Sequence, residues 1–391
     1  MYGQIREDTL FVILYAGVTF MALTASFYLL FRRANAIAPD VRPPARLRRW
    51  TAVFFGSIAL SHLWYMPILF QSSSEDILTT DLIGGLLDSM TLLPLAIVVL
   101  LAMLQDRRRP LWPVAVMMAP IVAGSAWNAA TRSYVSLPMV YAYLLLLGLG
   151  LIIYMVREVR RYSHWLRDNF ADLEHKEVWQ SFMVLAFVLL VFAVYAFIYE
   201  GTACLYAMRL IYALLICHLL WRVETLSDLC ATQAQPLSVE AEPAATECLD
   251  NDGERGAPDD ESQPTDGESQ PTDGLSPTTS SNIETLLQQY CIDTRLYLQH
   301  DLTLHQLSKA VGTNRTYLSQ YFSSHGITYN AYINHLRVAH FVSLYREAIA
   351  AHRSVTAQQL AHESGFRSYR TFSDAFKRKT GQSVTAWMKI Q

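Results

Sequence analysis

The chain has 391 residues, 52% of them apolar and only 17% charged, with a formal net charge of −3 at neutral pH. That balance argues against a single soluble globular domain, and the length allows two or three domains. The averages conceal three unlike parts: apolar sequence up to Val223, an acidic stretch nearly free of aromatics from Asp228 to Asn282, and a tail, 283–391, with twelve Lys/Arg against six Asp/Glu. The five cysteines, Cys204, Cys217, Cys230, Cys248 and Cys291, form no C-x-x-C pair and no zinc-like spacing, so neither a disulfide framework nor a metal site is expected.

In chain order, apolar runs occupy 9–31, 50–70, 82–104, 111–127, 135–156, 178–199 and 202–223. Each approaches the roughly 20 residues that a helix needs to cross a bilayer. Loop charge then sets an orientation. Loops 32–49, 105–110 and 157–177 hold fourteen basic residues, whereas the alternate connections and the N-terminal tail hold only Arg6 and Arg132. The positive-inside tendency therefore predicts seven spans with the N-terminus outside and everything after Val223 in the cytoplasm. The expected location is a bacterial cytoplasmic membrane.

Three ionisable residues fall inside these runs: His62, Asp88 and Arg209. At the expected depths they share one layer in the outer half of the bundle. Intramembrane ionisable groups mark a functional site by default, but buried charges are also commonly paired for purely structural reasons. Both readings stay open: an ion pair between Asp88 and Arg209, or a pocket for a signal. Pro94 and the Gly84–Gly85 pair predict a bend or close helix packing in the third span. Trp165, Asn169/Phe170 and Leu173 predict a helix with one apolar stripe across the cytoplasmic segment 160–179.

Residues 228–282 read as a disordered acidic linker. They contain "ESQPTDG" twice in succession, at 261–267 and 268–274, with almost nothing apolar to bury. A flexible 51-residue tether over 231–281 has a root-mean-square span of roughly 40 Å.

The tail contains one device twice. "TLHQLSKAVGTNRTYLSQYF" (303–322) and "TAQQLAHESGFRSYRTFSDAF" (356–376) both begin Thr-x-x-Gln-Leu, and both place a glycine nine residues after the threonine. Thr303 with Gln306, and Thr356 with Gln359, fit the capping box that starts a helix, and Gly312 and Gly365 fit the turn that ends it. A second cap follows, Asn314 or Ser368, ahead of apolar residues at helical spacing. The pattern is helix-turn-helix, over 303–322 and 356–380, with a connecting helix predicted at 332–350.

These residues carry a resemblance. Residues 283–391 resemble the DNA-binding domain of the arabinose-regulator (AraC/XylS) family, most specifically through "GFRSYRTFSDAFKRKTGQSVTAW". More loosely, the apolar half and its "LRDNFADLEHKEV" loop resemble membrane-anchored members of that family. The chain departs from the family at Val384, where proline is usual, at Phe341, where alanine is usual, and at Asp374, where arginine is common. The resemblance implies base contacts from Thr316, Ser319 and Gln320 on the first recognition helix, and from Tyr369, Arg370 and Ser373 on the second. It implies phosphate contacts from Arg315, Arg367, Lys377, Arg378 and Lys379.

The expectation is an all-α protein in three parts: a seven-helix transmembrane bundle (1–227), the linker (228–282), and a domain of two helix-turn-helix units joined by a long helix (283–391). Its expected role is transcription regulation under the control of a signal sensed by the membrane part. No catalytic pattern is evident, and no cofactor is implied. The partners expected are double-stranded DNA, the lipid bilayer, a small-molecule or membrane-borne signal, a second copy of the chain, and RNA polymerase for an activator. The competing expectation is a transporter or receptor whose tail is a regulatory or protein-interaction module.

Overall fold

The computed structural model describes residues 8–32, 35–39, 41–71, 73–183, 202–229 and 277–390. As expected, the protein is all-α, and among the described residues the only strand-like pairing is one isolated antiparallel bridge, Phe170 to Thr303. Two compact units are present: Met1–Trp165 with His175–Leu229, and Leu166–Glu174 with Cys230–Gln391.

The first unit contains α1 (Thr9–Phe31), α2 (Ala45–Tyr65), α3 (Ser74–Met90), α4 (Leu92–Met103), α5 (Trp112–Thr131), the body of α6 (Leu137–Asn169) and α7 (Thr202–Thr225). Among the described residues, six helical segments are long and apolar enough to cross a membrane, α3 and α4 together making one of them. The expected sixth span, 178–199, lies for most of its length outside the described residues.

The third segment is interrupted at Thr91, between α3 and α4. Pro94 supplies the cause, since it has no N–H for the Met90 carbonyl and its ring crowds that position. Gly84 brings α3 close to the end of α2, and a Cβ there would sit 2.4 Å from the Tyr65 ring. The expected close packing is therefore found, and the helix is interrupted in the region of the expected bend.

Hydrogen bonds fix the directions of α1 and α7. Asp8, which caps α1, accepts from the Tyr206 hydroxyl at 2.6 Å near the start of α7. At the other end, Tyr28 donates to Glu224 at 3.2 Å. The two helices therefore run parallel. The end of α7 also meets the arginine-rich loops. Arg48 lies 3.6 Å from Glu224, Asp228 N–H donates to the Arg42 carbonyl at 2.8 Å, and Gln105 Nε2 donates to the Ser227 carbonyl at 3.0 Å. Glu158 on α6 receives Arg107 at 3.0 Å and Arg109 at 2.7 Å. Arg48 and Arg42 of loop 32–49 and Gln105 of loop 105–110 thus gather at the finish of α7, and Arg107 and Arg109 reach Glu158 on the body of α6.

In the second unit come α8 (Pro277–Leu287), α9 (Leu304–Val311), α10 (Arg315–Ser324), α11 (Tyr329–Ala350), α12 (Ala357–Glu363), α13 (Tyr369–Thr380) and α14 (Val384–Ile390). Residues 277–282, expected to belong to the linker, are the first turns of α8, and Ile283 and Leu287 on that helix are buried. The remainder of the expected linker, from residue 230, lies outside the described residues.

The apolar residues of this unit form two clusters. One gathers Ile283, Leu287, Leu307, Leu318, Phe322 and Ile333 around α9 and α10. The other gathers Phe341, Leu360, Phe366, Phe372, Phe376 and Val384 around α12 and α13. α11 supplies its first half to one and its second half to the other, which is how a single 22-residue helix carries both units. At about 1.5 Å per residue it spans roughly 33 Å. Phe341 fills the second cluster, with its ring 4.4 Å from Phe372 and 5.7 Å from Phe376.

Candidate nucleic-acid interface

In the first helix-turn-helix unit the capping box closes fully. Thr303 Oγ1 accepts from Gln306 N–H at 3.1 Å, and Gln306 Oε1 accepts from Thr303 N–H at 2.9 Å. α9 ends at Gly312 with φ of 73°, and Thr313 N–H reaches back to the Ser308 carbonyl at 3.0 Å. Asn314 then caps α10 by accepting from Thr316 N–H at 3.0 Å. Burial of Leu318, Tyr321 and Phe322 fixes the rotation of α10. The opposite face leaves Thr316, Ser319 and Gln320 exposed, at i, i+3 and i+4. Tyr317 is also 52% exposed, a large aromatic on this helix that the sequence reading passed over.

The second unit repeats the plan with one difference. Thr356 Oγ1 accepts from Gln359 N–H at 3.2 Å, but Gln359 Nε2 turns away to Glu363 at 3.1 Å, so the expected box is only half formed. Thr303 and Gln306 are buried, which holds their reciprocal pair together, whereas Thr356 and Gln359 are exposed and a carboxylate one turn on captures the amide. Gly365 has φ of 91°, and Phe366 N–H returns to the Ala361 carbonyl at 3.1 Å, the counterpart of the Thr313 bond. Ser368 caps α13 by accepting from Thr371 N–H at 3.3 Å. With Phe372, Ala375 and Phe376 buried, Tyr369 and Arg370 are exposed. Ser373 is half-buried, and Asp374 takes the exposed place one turn after Arg370.

The five expected phosphate contacts differ in their surroundings. Lys377, Arg378 and Lys379 fill the last turn of α13, where cations complement the helix dipole. Lys377 is exposed. Arg378 Nε donates to the Asp374 carbonyl at 3.2 Å, and Lys379 Nζ donates to the His335 carbonyl at 2.9 Å, with burial lowering the pKa of that ammonium. Arg367 is paired with Asp301 at 2.7 Å. Arg315 donates to the side-chain oxygen of Asn169.

Sequence reasoning missed Arg337, on α11, which is 1% exposed. Its Nε donates to the Tyr297 carbonyl and its Nη2 to the Gln299 carbonyl, both at 2.7 Å, and its guanidinium lies 5.7 Å from the centre of the Phe366 ring. It ties together the two halves of the tail. A signal existed: Arg337 sits at i+4 from Ile333 and i−4 from Phe341, on the buried stripe of α11. Cys291 is buried, which pushes its thiol pKa up to about 12 and leaves it unreactive. Among the described residues no cluster could hold a metal ion.

In the first unit, the three intramembrane candidates lie near one another, but without an Asp88–Arg209 ion pair. Arg209 Nη1 meets His62 Nε2 at 2.9 Å, and its guanidinium stacks 4.5 Å from the centre of the Tyr15 ring. Asp88 instead accepts from Ser61 Oγ at 3.2 Å, while His62 Nδ1 is 2.8 Å from the Ile58 carbonyl.

The tail is thus a pair of capped helix-turn-helix units on one axial helix, the architecture of a DNA-reading domain. In agreement, residues 307–390 match the model of a helix-turn-helix domain family, which supports DNA-binding transcription regulation. No curated protein and no solved structure matches the chain significantly.

Proposed function

We propose that the protein is a membrane-bound transcription regulator of the AraC/XylS type, in which α10 and α13 read promoter DNA under the control of the apolar unit. The observation that carries this reading is the duplicated arrangement of caps, glycine turns and buried stripes. It leaves one polar face of each recognition helix exposed. On α13 that face carries Arg370, suited to bidentate contact with guanine. On α10 it carries Gln320, suited to adenine.

Membrane residence rests on two observations. Large apolar side chains such as Phe20, Met139 and Leu146 are exposed on the first unit, a surface suited to lipid rather than water. The parallel course of α1 and α7 also requires an odd number of crossings, so six described segments with parallel ends fit a total of seven. The arginine-rich end is then cytoplasmic. The Tyr15–His62–Arg209 contact is where a signal in the outer half would be felt.

The test is selection of random DNA duplexes by the full chain held in lipid nanodiscs. Enrichment of a site with two half-motifs about one helical turn apart is expected, with Arg370→Ala weakening that site about 10-fold or more. Failure to enrich any sequence overturns the reading.

A further inference from the structure

The second unit contains a piece of chain remote from the tail in sequence. Residues 166–174 follow the body of α6 and are grouped with the tail rather than with the apolar unit. α6 stops at Asn169, and the expected helix across 160–179 does not continue. Phe170 instead forms its antiparallel bridge with Thr303, and Ala171 N–H donates to the Leu302 carbonyl at 3.1 Å. Asn330 on α11 clamps the other edge, its Nδ2 donating to the Ala171 carbonyl at 2.6 Å, and Asn334 Nδ2 in turn donates to the Asn330 side-chain oxygen at 3.2 Å. Phe170 and Ala171 are 0% exposed, and Ala171 belongs to the same apolar cluster as Leu307 and Leu318. Asp172, 2% exposed, lies within electrostatic reach of the buried Arg337. This is a built docking surface, not a passing contact: backbone pairing, a side-chain clamp and apolar burial all act on four consecutive residues.

Its outer edge meets the reading head. Asn169 accepts a hydrogen bond from Arg315, the first residue of α10 and one of the expected phosphate contacts. A helix N-terminus carrying an arginine is suited to phosphate. The guanidinium N–H held by Asn169 is one that a phosphate oxygen would otherwise take.

We propose that Asn169–Asp172 is a resident strap on the first helix-turn-helix unit, and that its Asn169 competes with the DNA backbone for Arg315. The strap therefore couples a loop of the apolar half to the affinity of the DNA-reading half without any force travelling along residues 230–276. The competition rests on the DNA-binding reading above, whereas the docking stands independently of it.

Two readouts on the full chain in nanodiscs separate these. Amide hydrogen exchange over 166–174 reports docking: the Ala171 amide is protected in the natural chain, and Asn330→Ala accelerates its exchange by about 10-fold or more. Salt titration with a duplex of random sequence, which probes phosphate contacts alone, reports the competition. Asn169→Ala tightens binding roughly 3- to 10-fold and steepens the dependence on salt by about one phosphate contact, a slope change near 0.9. The gain disappears in Asn169→Ala/Arg315→Ala.

Fast exchange of the Ala171 amide in the natural chain overturns the docking. Protection of that amide with no tightening in Asn169→Ala, or a gain that survives loss of Arg315, overturns the competition. Protection with no duplex bound by any variant overturns both the competition and the DNA-binding reading, and leaves the strap as a structural element of the tail.

Discussion

Gly312 and Gly365 occupy matching positions in the two reading units, yet they do different jobs. Both have positive φ, the region that favours glycine. At Gly312 an added Cβ meets nothing within 4 Å, so Gly312→Ala costs about 1 kcal/mol from backbone conformation alone. At Gly365 the Cβ would lie 2.8 Å from both Cα and O of Leu298, which are backbone atoms that cannot swing aside. Gly365→Ala therefore costs about 3 kcal/mol, the strain of the turn plus displacement of the segment carrying Leu298. Denaturant unfolding of the tail, followed by limited proteolysis, distinguishes them: equal losses at the two sites contradict this account. The sequence marked both glycines as turn residues. It could not distinguish them, because the neighbour that matters at Gly365 lies 67 positions earlier in the chain.

Elements whose signals are local were legible, and those defined by distant partners were not. Helical spacing predicts the connecting helix over 332–350, and α11 begins only three residues earlier, where Thr328 accepts from Ala331 N–H at 3.2 Å. Both recognition helices begin at the caps their sequences advertise. The stripe across 160–179 misled because Phe170 is buried by pairing with Thr303, not by helical packing, and an apolar residue gives the same signal in either case. The second capping box misled for a related reason: Glu363 lies four positions from Gln359 and the intended partner Thr356 three, so both are within reach and only burial decides between them.

α11 also holds the least expected member of the core. Arg337→Ala removes both hydrogen bonds to Tyr297 and Gln299 and leaves two carbonyls facing an apolar void. A loss of about 2–4 kcal/mol is expected in the tail. Arg337→Lys recovers little of it, since one ammonium does not reproduce two donors diverging from one plane. Full stability in either variant, measured by the same unfolding assay, would contradict the role given to this side chain.

At the scale of the whole molecule, the division into an apolar part and a basic tail was written plainly in composition. What composition could not reveal is that residues 166–174 keep company with the tail, because nothing in their sequence names Leu302 or Asn330. The topology makes a direct prediction. In a variant without the native cysteines, Val135→Cys reacts with an impermeant maleimide applied to intact cells, while Arg46→Cys reacts only after the membrane is opened. Val135 is 83% exposed beside the start of α6, and Arg46 lies in the arginine-rich end. The reverse labelling pattern would invert the orientation and place the tail on the wrong side for DNA.

The single helix that threads both apolar clusters has a consequence for the operator. Each residue of α11 advances the chain by about 1.5 Å and turns it by about 100°, whereas each base pair advances a duplex by about 3.4 Å and turns it by about 36°. The two scales share no small common step. A one-residue insertion in α11 would therefore rotate one reading head out of phase with the other, and no shift of the half-motifs by whole base pairs would restore the match. If α10 and α13 read DNA as proposed, the permitted spacing within the DNA site is in this sense a length recorded in the protein, in the 22 residues from Tyr329 to Ala350.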